Sequence, residues 1–174
     1  DLVCKPIETM PEPGKMLPIE SARISPGGCA NNTAVALARL GVRTRVAGMV
    51  GDDVLGTFVL RNLEAEGIDT SGMAIGKNTT TSFTFVGVAE TGERSFFHYI
   101  GANGQMTEEN VDISRFQGIR LLHIGALYTL PNLGGRSLAN ITKRARELGI
   151  LVSVDTAWKP DGNWSEDLEP LWQN

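Results

Sequence analysis

The sequence predicts an α/β fold in which a parallel β-sheet is flanked by helices. Short apolar segments typical of buried strands alternate with segments whose apolar residues recur at helical spacing. Apolar strands separated by helices are typical of βαβ units, in which the strands pair in parallel beneath the helices. The length of 174 residues is that of one ordinary domain.

The first helices and strands are predicted from residue composition and from the residues that begin or end each element. Residues 2–8 predict a strand and residues 19–25 a weaker one, and the Ala-rich run 32–40 predicts a helix that ends at Gly41. Residues 43–50 then form an apolar strand. Asp52 or Asp53 is placed to cap a second helix, which closes at Gly67 and has a stripe made of Leu55, Phe58, Val59 and Leu63.

The middle of the chain predicts a β-hairpin. Residues 79–88 and 94–100 are rich in Thr and aromatic residues, and Glu90-Thr91-Gly92-Glu93 lies between them. Their composition suits a sheet with one solvated face, so we expect a small flap separate from the parallel sheet. The hairpin carries Phe83, Phe85, Phe96 and Phe97, and an apolar sheet face requires a ligand or a second subunit to cover it.

The second half predicts a strand at 119–124, a helix, and a strand at 150–154 that ends at Asp155. The helix stripe consists of Leu138, Ile141, Ala145 and Leu148. No closing strand follows in 161–174, so we expect residues 1–174 to be the N-terminal part of a larger domain.

Charge and cysteine content exclude several classes of function. Sixteen Lys and Arg residues against 20 Asp and Glu residues give a net charge of −4, which disfavours nucleic acid and anionic membranes as partners. No apolar run approaches the about 18 residues that span a bilayer, and no secretory signal opens the chain. Cys4 and Cys29 form no metal-binding spacing, and His98 and His123 stand isolated, so no metal site is predicted. A reduced cytoplasmic protein is the simpler interpretation, with a Cys4–Cys29 bridge as the alternative.

The segment around Gly27 and Gly28 carries the strongest chemical signal. Two glycines between a strand and a helix allow the backbone to approach a ligand, and the free N–H groups of the helix lie just beyond them. The Asn32 amide, in the first helical turn, can both donate and accept hydrogen bonds, which suits vicinal hydroxyls. The alternative is an ordinary turn in which Asn31 or Asn32 caps the helix.

The run Gly27-Gly28-Cys29-Ala30-Asn31-Asn32-Thr33-Ala34, with Gly41 and Gly51, resembles the first signature of the PfkB (ribokinase-like) carbohydrate kinase family. Further similar segments are Gly51-Asp52-Asp53-Val54-Leu55-Gly56, Glu66-Gly67-Ile68-Asp69-Thr70, Thr79-Thr80-Thr81 and Gly101-Ala102-Asn103. The resemblance implies a three-layer αβα fold with a projecting β-sheet lid, built from about 9–25 and 79–100, and a C-terminal ATP-binding part outside this chain.

The resemblance also implies an enzyme that uses ATP and Mg²⁺ to phosphorylate a hydroxyl of a sugar or sugar acid, and a homodimer formed through the lid. By the same likeness Gly27, Gly28 and Asn32 contact sugar hydroxyls, and Asn103 lies near them. An aromatic residue of the lid, Phe97 or Phe85, covers the sugar face, with lid packing alone as the alternative role for each. The lid and the Gly-Gly segment do not separate a sugar kinase from a nucleoside kinase of the same superfamily.

Departures from the family pattern affect substrate and activity. Lys5 stands where members usually carry a sugar-binding Asp, which favours an acidic ligand unless Lys5 simply points to solvent. Tyr128 is a candidate hydroxyl donor, with a packed aromatic as the alternative. Lys159, in a segment similar to Asp-x-Asn-x-Arg, is a candidate for a substrate carboxylate or an ATP phosphate, with a solvated loop lysine as the alternative. The family's Gly-Ala-Gly-Asp motif is absent, so no catalytic residue is assigned within 1–174, and a non-catalytic sugar-binding homologue is a further alternative.

Overall fold

The computed structural model describes residues 1–112, 114, 117–159, 162, 165, 166 and 168–172, and confirms the predicted α/β class. The described strands are β1 (Leu2–Lys5), β2 (Ser21–Ile24), β3 (Arg45–Gly51), β4 (Asp69–Gly76), β5 (Phe83–Val88), β6 (Arg94–Tyr99), β7 (Leu121–Ile124) and β8 (Leu151–Val154). The described α-helices are α1 (Cys29–Arg39), α2 (Val54–Ala65), α3 (Gly135–Glu147) and α4 (Glu169–Trp172), and short 3₁₀ helices cover Gly101–Gln105, Glu108–Asn110 and Leu127–Thr129.

Parallel pairing joins strands that are separated by helices. β3 lies beside β4, and β7 lies beside β8 with His123 opposite Ser153. Helix α2 connects β3 to β4, and helix α3 lies between β7 and β8 in the chain, as the βαβ interpretation requires. β4 was not predicted, because Asp69–Gly76 mixes polar and small residues and lacks an apolar period.

The predicted hairpin forms and belongs to a larger sheet than expected. β5 and β6 pair antiparallel, with Phe85 opposite Phe97. β5 also pairs in parallel with β1, and the strand order in this sheet is β2-β1-β5-β6. The first strand is therefore part of the sheet that carries the hairpin, which we call the lid sheet. β1 stops at Lys5, well short of the predicted end, because Pro6 has no N–H for the ladder.

The register of the hairpin divides its aromatic residues between two faces. Phe83 lies opposite Tyr99 and Phe85 opposite Phe97, so these four rings share one face. Phe96 lies opposite Val86 on the other face, which corrects the expectation that all four phenylalanines act together. On the shared face Phe97 is 53% exposed and Tyr99 is 46% exposed.

The core lies between the helices and the parallel strands. Leu138, Ile141 and Ala145 of α3 are buried as predicted, whereas Leu148 is 57% exposed because it lies just past the end of the helix. Another cluster joins Ala34 of α1 to Leu63 of α2. Within the described part, none of the helices combines the length and the apolar character needed to cross a membrane. Cys4 is buried and Cys29 half-buried, and the two are not bonded to each other.

Candidate sugar site at the Gly27–Asn32 turn

The turn before α1 requires glycine. Gly28 is the N-cap of α1 with φ of 92° and ψ of 145°, a conformation that residues with a Cβ rarely adopt. Among the residues that the structure describes, no side chain caps this helix, and α1 begins at Cys29, three positions before the predicted start. Asn31 and Asn32 therefore lie inside the first turn, and the interpretation of either one as the N-cap is wrong.

The Asn32 amide is available to a ligand. It is exposed, and its Oδ1 accepts one long hydrogen bond of 3.4 Å from Nδ2 of Asn31. Oδ1 of Asn31 is buried and lacks a hydrogen-bond partner within the described residues. Buried polar atoms are normally satisfied, so an unsatisfied oxygen beside an exposed amide is typical of a site that receives a ligand or water.

The carboxyl ends of β7 and β8 meet this turn. A Cβ on Gly125, the residue after β7, would lie 2.8 Å from the backbone N of Ala30, so the two segments touch through bare backbone. The backbone N–H of Asp155, the residue after β8, donates to O of Ile124 at 2.8 Å. Ligands of open α/β sheets collect at the carboxyl ends of strands, and here that edge faces the first turn of α1.

The structure adds a carboxylate that the sequence analysis did not assign to the site. Asp155 lies beside the thiol of Cys29: burial raises the pKa of Cys29, and the hydrogen bond and negative charge of Asp155 raise it further. The signal available in the sequence was an acidic residue directly after an apolar strand. The site therefore contains a hydrogen-bond acceptor next to the Gly-Gly turn.

Two other predicted residues lie close to each other. The Lys159 ammonium lies 5.5 Å from the centre of the Tyr128 ring, a cation–π distance. Tyr128 is in the short helix after β7, and Lys159 follows β8 by five residues. Both belong to the same edge of the sheet as Asp155.

Asn103 lies in the 3₁₀ helix that follows β6. It is half-buried, and its side chain makes no hydrogen bond to any residue in the described ranges. The next residue, Gly104, accepts a hydrogen bond of 2.7 Å from Nδ2 of Asn132, so this helix is tied to the loop before α3. The structure leaves the Asn103 amide free for a ligand.

The lid contributes unequally to the site. A Cβ on Gly27 would lie 2.0 Å from Oδ2 of Asp1, so the turn abuts the amino end of β1. Lys5 is exposed and lies four residues further, roughly 13 Å at the rise of a β-strand. Phe97 packs on Phe85 with ring centres 6.0 Å apart, in the cross-strand row that includes Leu2. Phe97 therefore lies level with the end of β1 that the turn abuts, two strands away from it, whereas Lys5 lies at the opposite end of β1.

The comparisons with known proteins agree with this geometry. A model of the pfkB family carbohydrate kinases matches residues 3–169. The chain belongs to the PfkB family of carbohydrate kinases. This PfkB chain is 32% identical over 149 residues to the ATP-dependent ribose-1-phosphate kinase of Halopiger xanaduensis, covering 86% of this chain and 48% of that protein. It is 26% identical over 156 residues to probable fructokinase-6, chloroplastic, of Arabidopsis thaliana, covering 86% of this chain and 41% of that protein.

The solved structures confirm the ribokinase-like fold. The fructokinase with bound ATP from Xylella fastidiosa superposes on the PfkB chain with a TM-score of 0.71 at 26% identity, covering 99% of this chain and 54% of that one. The PfkB chain thus spans about half the length of the relatives it matches.

Proposed function

We propose that this chain supplies the substrate pocket and lid of an enzyme that transfers phosphate from ATP to a hydroxyl of a sugar or sugar acid in the cytoplasm. The observation that carries the proposal is the Gly28 turn, with its exposed Asn32 amide, set against the carboxyl ends of β7 and β8 in a PfkB chain. The general base and the anion hole would come from a part of the protein outside these residues.

In this proposal the residues of the site bind and orient the acceptor. The Asn32 amide donates to one hydroxyl and accepts from its neighbour, while Asp155 accepts from a third. Fixing the sugar ring in this way holds its reacting hydroxyl in a constant position relative to ATP, which is the main contribution a protein makes to phosphoryl transfer. Gly28 leaves room for the ring because the space beside it is open, whereas the missing side chain of Gly27 makes room for the Asp1 carboxylate.

ATP and Mg²⁺ are proposed cofactors. Mg²⁺ neutralises phosphate charge during transfer when it is bound. No three His, Cys, Asp or Glu side chains in the described ranges converge to hold a metal ion, so no step is assigned to Mg²⁺ within this chain. Lys159 is the proposed contact for a phosphate or carboxylate, because its ammonium lies over Tyr128 at the edge of the sheet that carries the site.

We also propose that the lid sheet forms a homodimer contact. Its aromatic face exposes 41% of Phe83 and 53% of Phe97, and apolar sheet faces of this kind are normally covered. Sedimentation of the full-length protein is expected to show a dimer, whereas a monomer alone at micromolar concentration would contradict this contact.

The test of the kinase proposal is a panel of acceptors with ATP and the full-length protein. We expect phosphorylation of sugars, and faster turnover of sugar acids or sugar phosphates than of neutral hexoses, because Lys159, at the edge of the sheet that carries the site, offers only donors and positive charge. The Halopiger relative is named for an anionic sugar, which supports that order.

Two variants test which of the two lysines, Lys5 or Lys159, selects anionic substrates. Reversal of the order by Lys5→Asp would place Lys5 in the pocket, whereas reversal by Lys159→Ala alone would place the selection at the end of β8. Because Lys5 lies away from the turn, we expect the reversal with Lys159→Ala and not with Lys5→Asp. Faster phosphorylation of nucleosides would instead indicate a nucleoside kinase. Sugar binding without any phosphorylation would contradict the proposal and indicate a non-catalytic homologue.

A further inference from the structure

One half-buried carboxylate, that of Asp53, holds the base of the lid hairpin. Oδ2 of Asp53 accepts a hydrogen bond of 2.7 Å from the backbone N–H of Thr81, and Oδ1 accepts one of 2.7 Å from the Thr81 hydroxyl. Oγ1 of Thr81 in turn accepts from the backbone N–H of Gly51 at 2.9 Å. Thr81 is 4% exposed and lies two residues before β5, so these bonds fix the chain just where it enters the lid sheet.

The same carboxylate caps α2. Oδ1 of Asp53 also accepts from the backbone N–H of Gly56 at 2.7 Å. A Cβ on Gly56 would lie 2.2 Å from O of Gly51, and one on Gly51 would lie 2.6 Å from O of Thr79. At Gly51 and Gly56, therefore, no side chain would fit, because the end of β3, the start of α2 and the segment leading to β5 pack against one another there.

The other end of the hairpin is held at the same place. The backbone N–H of Ala102, after β6, donates to O of Thr80 at 2.9 Å. A Cβ on Gly101 would lie 2.5 Å from that same oxygen. Both ends of the hairpin thus converge on residues 80 and 81, and Asp53 joins them to the body of the fold.

The carboxylate is charged under ordinary conditions. Burial raises the pKa of Asp53, but the hydrogen bonds from Thr81 and Gly56 outweigh it and hold the pKa below its usual value. Hydrogen bonds to an ionised acceptor are shorter and roughly twice as strong as neutral ones. The contact is therefore a strong one at neutral pH.

We propose that Asp53 is a positioning residue that acts through Thr81 to hold the lid hairpin over the sugar site. The kinetic consequence of this role rests on the proposed function. When the hairpin is not held, the sugar dissociates before phosphate is transferred. The sugar KM then rises, while ATP, which does not contact the lid in this account, keeps its KM.

Asp53→Asn tests this with little effect on α2. The Asn oxygen can replace Oδ1 and cap Gly56, since Asn and Asp are equally good N-caps. Its NH₂ group then faces the N–H of Thr81, where two donors meet and the bond is lost. Asp52→Asn is the matched control, because Asp52 is the exposed neighbour and the described residues leave it outside this network. Thr81→Ser keeps both hydroxyl bonds and serves as the conservative variant.

The experiment compares steady-state kinetics and amide hydrogen exchange in the full-length protein. For Asp53→Asn we expect the sugar KM to rise about fivefold with the ATP KM unchanged, and the amides of 83–99 to exchange about fivefold faster. Asp52→Asn should match the wild type in both measurements, and Thr81→Ser, which keeps the hydroxyl bonds, should stay closer to the wild type than Asp53→Asn in both. A fall in melting temperature with unchanged sugar KM and unchanged lid exchange would overturn the proposal.

The hydrogen-exchange arm needs no substrate. If the wild-type protein phosphorylates nothing, the proposed function fails, and the exchange rates of 83–99 still decide whether Asp53 holds the hairpin. Equal rates in Asp53→Asn and wild type would then overturn the inference, and faster rates confined to the hairpin would support it.

Discussion

Asn32→Ala is expected to reduce kcat/KM for the sugar about 30-fold without lowering the melting temperature. The substitution removes the amide that the sugar hydroxyls bond to in the lid-covered site. This loss costs about 2 kcal/mol of binding free energy, which corresponds to about 30-fold in kcat/KM. Stability should hold or rise slightly, because alanine has a higher helix propensity than asparagine and the Asn32 side chain makes one long hydrogen bond. Initial rates over a range of sugar concentrations, together with thermal unfolding, measure both effects.

Asn140→Ala is the matched control. Asn140 is an exposed residue of α3 that donates to Glu108 at 3.1 Å, so the same atoms are removed from a helix away from the Gly27–Asn32 turn. Its kcat/KM should stay within about twofold of wild type, since exposed substitutions change free energies by about 0.5 kcal/mol or less. Equal losses in the two variants would show that the effect does not arise from sugar binding.

Local sequence patterns predicted the helices, turns and strands whose formation depends on residues close together in the chain. The hairpin, the capping of α2 by Asp53 and the α3 stripe apart from Leu148 all formed, because spacing and capping chemistry act over a few residues. β4 escaped prediction because its pairing with β3, and not its composition, makes it a strand. The membership of β1 in the lid sheet also depends on a partner more than 80 residues away.

The same division applies to the site. The Gly27–Asn32 turn is contiguous, so glycine conformation and amide chemistry could identify it. The proximity of Asp155 to Cys29, and of Gly125 to Ala30, depends on how β7 and β8 meet α1, which no local pattern contains. Lys5 was considered by its place in the sequence, but the direction of β1 carries it away from the turn.

Bound sugar is expected to protect Cys29 from alkylation by more than tenfold. Cys29 directly follows Gly28, is half-buried, and lies beside Asp155, so a sugar seated on the turn covers its thiol. Because the pKa of Cys29 is raised, the unprotected reaction is slow at neutral pH and is best followed near pH 8.5, where more of the thiolate is present. Cys4 is 3% exposed and serves as an internal reference for unfolding.

In the proposed site a polyol binds against the backbone of residues 27–32. The most direct test is the rate of iodoacetamide modification at Cys29 of the full-length protein, followed by mass spectrometry of its peptide with and without a saturating sugar from the acceptor panel. We expect strong protection in the wild type, much weaker protection in Asn32→Ala at the same sugar concentration, and an unmodified Cys4 in both. An unchanged Cys29 rate in the presence of a sugar that the protein demonstrably binds would contradict the claim.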